Sequence, residues 1–186
     1  SVIVNAANPL SKLTVGQVGA LFAGRTRDWK TYGGQGAAVC YGRQSSSGTY
    51  SFFRQAVVRG EYASDVRQMN GNGQIVEAVA RDPGGIGYVA VGYLKSGAAG
   101  IRALPIAPTK KDEGVSPLDD KAVAAGAYPI ARPLYQFTNG APTGAVREFL
   151  LYELSEAGEA IVTEMGFYPV VESWKERNAH LYGAPA

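Results

Sequence analysis

Cysteine and histidine occur once each in this chain of 186 residues, at Cys40 and His180. One thiol excludes an internal disulfide, a CxxC pair and a thiolate metal cluster, so Cys40, set in the apolar run "AAVCYG", reads as a small buried hydrophobe. One histidine with scattered carboxylates offers no metal-ligand cluster and no serine–histidine pair, and His180 reads as a solvated residue of the polar tail. Catalysis is therefore not expected, and neither a cofactor nor a metal is implied. Charge of one sign is scarce as well: 18 basic residues against 16 acidic ones leave +2. No lysine or arginine run is flanked by stacking aromatics, so nucleic acid is not an expected partner. No apolar run approaches the roughly 20 residues that cross a bilayer.

Two nucleotide signatures are also missing. The phosphate loop of nucleotide hydrolases needs a lysine before its serine or threonine, and the chain has none in such a turn. "GNGQIV" at 71–76 begins like a dinucleotide fingerprint but lacks its third glycine.

What is present is an alternation of strands and helices. "VIVN" at 2–5 reads as a strand under way at the start of the chain, and a targeting segment is expected to lie upstream of it. Thr14 with Gln17 makes a capping-box pattern, and Val15, Val18, Leu21 and Phe22 follow at helical spacing, predicting a helix from about 15 to 23. "AAVCY" is the next strand. Phe52, Phe53, Ala56 and Val57 then line one face of a helix from Ser47 to about Arg59. A third helix is expected over 74–81, a strand of near-continuous apolar residues over 86–91, another strand at "IRALPI", and a short helix near 117–125. After the extended stretch "YPIARPLYQFTNG", helices follow in "PTGAVREFLLYEL" and "SEAGEAIVTEMG", the latter opened by Ser155. Buried strands alternating with helices argue for an α/β sheet.

One junction carries more polarity than a turn requires. In "YGRQSSSGTYSFF", residues 41–53, an arginine, three serines, a glycine and a threonine separate a strand from a helix. The first-turn N–H groups of a helix have no intrahelical acceptor, and its peptide dipoles leave an effective charge of about +0.5 there. Hydroxyls of Ser45, Ser47 and Thr49 can donate to an anion, Gly48 permits close approach, and Arg43 offers a planar fork for two oxygens. Ser47 could equally serve as a plain helix cap, and composition leaves the two readings balanced.

The stretches "VNAANPLSKLTVGQVGALFAGRTRDWKTYGG", "YGRQSSSGTYSFF", "NGNGQIVEAVARDPGGIGYVAVGYL", "YPIARPLYQFT" and "AVREFLLYELSEAGEAIVTEMGFYPV" resemble, in this order, the periplasmic phosphate-binding protein of the bacterial phosphate ABC transporter. The specificity of the resemblance lies in the Arg-x-x-x-Ser-Gly-Thr element and in "GGIGYV". It implies a periplasmic-binding-protein-like α/β fold with one nearly complete lobe and part of a second. The implied division is a crossover strand at 1–4, lobe two over 5–128 and a return into lobe one over 129–186. Arg43, Ser47, Gly48 and Thr49 match the family's phosphate-gripping residues. Ser45 stands where the family often has an acidic residue that accepts the proton of a protonated phosphate, which leaves sulfate or another oxyanion open.

The implied function is capture of inorganic phosphate for the membrane permease of an ABC transporter, in a periplasmic or extracytoplasmic location. Any membrane anchor would lie in a segment outside this chain. A sensory or interaction module of the same fold is the alternative from a different class. In the family a segment of about half a lobe precedes "VIVNAANP", so helices over 142–165 are expected to expose an apolar face, inviting a dimer or a second chain that completes lobe one.

Overall fold

A computed structural model describes residues 1–182. Two compact units divide it, Ser1–Ala131 and the residues from Arg132 onward. In the first unit the chain runs through β1 (Val2–Asn5), β2 (Leu13–Thr14), α1 (Val15–Phe22) and a 3₁₀ turn at Trp29–Tyr32, then β3 (Val39–Arg43) and α2 (Gly48–Phe53). A π-helical turn (Arg54–Val58), β4 (Arg67–Met69), α3 (Asn72–Arg81), β5 (Gly85–Tyr88), α4 (Gly92–Lys95), β6 (Ile101–Ala103), β7 (Ile106–Ala107) and α5 (Asp120–Ala124) follow. The second unit holds α6 (Gly144–Glu153), α7 (Glu156–Glu164) and α8 (Glu172–Tyr182).

Five strands form one sheet in the order β4-β3-β5-β1-β6, and β2 pairs with β7 apart from it. β3 is parallel to β4 and β5, whereas β1 is antiparallel to β5 and β6. Successive side chains of a strand point to opposite faces, and both faces are covered here. Val2, Val4, Cys40, Ile86 and Tyr88 pack with Phe22, Phe53 and Val57 on one side. Ile3 and Tyr41 meet Ile75 and Val79 of α3 on the other. The α/β architecture read from alternating strands and helices is thus observed, with all four residues of β1 buried inside the sheet.

Local signals set several boundaries. The Thr14–Gln17 capping box is formed in both directions, with Gln17 N–H donating to Thr14 Oγ1 and Thr14 N–H to Gln17 Oε1. Ser155 caps α7 by accepting from Gly158 N–H.

Four spans differ from the sequence reading. The helix expected over 47–59 is α-helical only to Phe53, then widens into the π turn and ends at Arg59 in the left-handed region, φ 54°. Its neighbour explains the tightness there: a Cβ on Gly19 of α1 would stand 2.2 Å from the Val57 carbonyl oxygen. The strand expected over 86–91 stops at Tyr88, and the chain bends into α4. "IRALPI" splits into β6 and β7 around Pro105, which has no N–H to give a ladder. The polar tail, for which no element was read, forms α8; His180 is exposed there, as expected, with its Nδ1 3.1 Å from the Arg177 carbonyl oxygen.

In the second unit α6 and α7 pack on one another. Leu150 is buried there, while Val146, Phe149, Tyr152 and Met165 are exposed by half or more. The apolar face expected on helices 142–165 is thus present.

Candidate functional site

Three parallel strands, β3, β4 and β5, send their carboxyl ends to one edge of the sheet, and each is followed by a turn into a helix. In open α/β sheets that edge is where ligands bind. Arg43 closes β3; Gln44, Ser45 and Ser46 make the turn; Ser47 caps α2. The turn is fixed by Gln44 N–H donating to the Met69 carbonyl at 3.1 Å and by Ser47 N–H donating to the Gln44 carbonyl at 3.0 Å.

Ser47 is buried, and its Oγ accepts from Thr49 N–H at 3.2 Å. That bond uses an oxygen lone pair and leaves the hydroxyl proton free to donate. The cap is thus formed, and it is compatible with an anion-ligand role for the same residue. The N–H groups of Gly48 and Tyr50, in the same first turn, have no intrahelical acceptor by geometry. No acidic residue stands in that turn, whereas α5, α7 and α8 each open with one. The positive end of α2 is thus not neutralised from within the helix.

Arg43 supplies the charge. Its Nε is buried and has no hydrogen-bond partner among the described residues. A buried guanidinium donor without an acceptor costs free energy, and an oxyanion at the turn would satisfy it. Ser45 is exposed at the turn and carries no charge. The other buried orphan at this edge, Asn72 Oδ1 in the first turn of α3, is an acceptor and asks for a donor rather than an anion. Of these two turns, the β3–α2 turn is the one with a buried, unpartnered donor. Two open depressions elsewhere include neither Arg43 nor Ser47: about 400 Å³ beside Arg27 and Lys30, and about 510 Å³ beside Arg54 and Arg59.

Behind the turn lies a chain of phenols that sequence reasoning did not find. Arg43 N–H donates to Tyr88 Oη at 3.1 Å, Tyr88 and Tyr62 hydroxyls are 3.0 Å apart, and Tyr62 Oη donates to the Tyr50 carbonyl at 3.1 Å. A carbonyl only accepts, so Tyr62's single proton goes to Tyr50 and Tyr88's proton goes to Tyr62. Burial pushes both phenols up from their ordinary titration range, so both keep their protons at neutral pH. The one sequence signal was the "GGIGYV" stretch that contains Tyr88.

Cys40, three residues before Arg43 in β3, is buried, and its thiol accepts from Arg27 Nη1 at 3.4 Å. Arg27 is itself paired with Asp65 through Nε at 2.8 Å. Among the described residues no group of three or more His, Cys, Asp or Glu could hold a metal ion, and no helix is long and apolar enough to cross a membrane.

Comparison with known proteins bears on the family and the fold. The model of the PBP superfamily domain matches residues 1–157. Phosphate-binding protein PstS of Pseudomonas aeruginosa is 31% identical over 91% of this chain and 57% of its own length. Phosphate-binding protein PstS of Bacillus subtilis is 33% identical over 86% of this chain and 51% of its own length. The chain thus spans little more than half of the curated relatives it matches. Among solved structures, a possible phosphate binding protein from Planctomyces limnophilus superposes with a TM-score of 0.76 at 26% identity, over 98% of this chain and 68% of that one.

Proposed function

The chain belongs to the PBP superfamily and has the mixed α/β fold of periplasmic phosphate-binding proteins, and from that premise we propose that it serves in capturing inorganic phosphate for an ABC transporter. The observation that carries the reading is the buried, unpartnered Arg43 Nε at the turn into α2, a helix whose first turn holds no acidic residue. Arg43 grips phosphate oxygens; Ser47 and Thr49 donate their hydroxyls; the Gly48 N–H approaches without side-chain hindrance; Ser45 takes part from the turn. The protein binds and hands over its cargo without chemistry, outside the cytoplasm, to a membrane permease.

Ser45 favours one variation on this reading. At neutral pH phosphate carries a proton and sulfate does not, so a carboxylate in the site welcomes one and repels the other. A serine accepts that proton without the repulsion, so this turn by itself admits sulfate or a similar oxyanion.

The affinity of this chain follows from its donors. Charge-assisted hydrogen bonds contribute on the order of 1.5–3 kcal/mol each, and micromolar binding needs about −8 kcal/mol. Ser45 and Gly48 are exposed, so their bonds to an anion compete with water, and association itself costs about 4–15 kcal/mol, so the chain binds phosphate with a dissociation constant above micromolar. Amide NMR titration with phosphate and sulfate at constant ionic strength tests the reading. Saturable shifts centred on residues 43–50, abolished in Arg43→Ala, are expected. Equal binding by wild type and Arg43→Ala would overturn it and favour a module that keeps the fold for another purpose.

A further inference from the structure

Resting on the phosphate reading of the turn, we propose that Tyr88 and Tyr62 are positioning residues that set the arginine and the α2 first turn at one fixed spacing around the anion. The strand ladder alone does not do this. The β3–β5 register ends at Tyr41 opposite Gly87, so Arg43 lies beyond the last paired residue on that side. Gln44 N–H bonds toward β4 through the Met69 carbonyl, and Arg43 N–H turns the other way. There it meets a side chain, Tyr88 Oη, in place of a backbone carbonyl.

The relay has two ends, and both belong to the site. One is the backbone of the residue whose guanidinium grips the anion. The other is the carbonyl of Tyr50, in the turn whose N–H groups face it. Hydroxyl to hydroxyl, the two phenols bridge the strand end and the helix start without any contact to the anion. Their rings are held in turn: Tyr88 stacks on Phe53 with centroids 4.0 Å apart, and Tyr62 lies against Tyr50 at 4.5 Å. Gly42 makes room for this, since a Cβ there would stand 3.1 Å from Tyr88 Oη. A Phe at position 88 would keep the packing and lose only the acceptor, leaving Arg43 free to shift relative to α2.

The test is the binding of inorganic phosphate to wild type, Tyr88→Phe and Tyr62→Phe, read by NMR at a temperature where melting curves show each folded. Tyr88→Phe is expected to weaken binding about tenfold and to speed exchange of the Arg43 amide proton. Tyr62→Phe, which cuts the relay further from the arginine, is expected to weaken binding about threefold. If wild type binds and Tyr88→Phe binds equally, or weakens without faster Arg43 exchange, the positioning role falls while the phosphate reading stands. If wild type shows no phosphate binding, the reading falls and takes the inference with it. Should Tyr88→Phe fail to fold, Tyr62→Phe decides alone, and binding equal to wild type overturns the proposal.

Discussion

At the residue scale, Ser45 and Cys40 act in opposite senses, one by what it lacks and the other by what surrounds it. Ser45 places no charge near the anion turn. Ser45→Asp should therefore raise the preference for phosphate over sulfate by repelling the unprotonated anion, as competition titrations would read, and unchanged selectivity would remove Ser45 from the discrimination. Cys40 is pushed up to about 12 by burial, against a partial pull downward from Arg27. The native thiol thus stays protonated near pH 8 and should react with iodoacetamide only as fast as the protein unfolds, which mass spectrometry with and without denaturant would show. The sign of the linked stability follows: the folded value lies above the unfolded one near 9, so the contribution is intact below about pH 9 and is lost as pH rises toward 12.

At the scale of elements, the junction of α1 with the π turn is the tightest contact under the site. The π turn continues α2, so what holds it also holds the helix whose first turn belongs to the proposed site. Gly19 is the point of approach, with no room for a Cβ beside the Val57 carbonyl. Gly19→Ala favours the helix by propensity, by about 1 kcal/mol, but forces backbone apart in a packed layer, which costs about 1–3 kcal/mol. The second effect is expected to win, with a lower midpoint in urea and weaker phosphate binding together. Stability equal to wild type would mean that the two helical segments separate easily.

At the scale of the whole molecule, the two units differ in how well each buries its own apolar surface. The first encloses a core on both sheet faces, whereas the second leaves Leu134, Tyr135, Phe137, Phe149 and Met165 exposed. Large apolar side chains left exposed in this way promote association. Sedimentation velocity is expected to show concentration-dependent self-association of this chain, reduced by Phe149→Glu together with Met165→Glu. A monomer at every concentration, with no binding of an apolar dye, would contradict this. Phosphate binding at the proposed turn of the first unit should survive those two changes, because none of the proposed donors lies in the second.

Legibility divided along contact range. The sequence by itself determined what depends on neighbours three or four residues apart: the Thr14–Gln17 capping box, the Ser155 cap, and the clustering of Arg43, Ser45, Ser47, Gly48 and Thr49 in one turn. Burial of Cys40 was equally readable from its apolar run. Tertiary structure alone decided the antiparallel placement of β1, the widening of α2 into a π turn, and the phenol relay, whose first bond joins residues 45 apart. The reason is physical: a cap is satisfied inside one helical turn, whereas Tyr88 meets Arg43 only after β3 and β5 pair and Phe53 stacks beneath the ring.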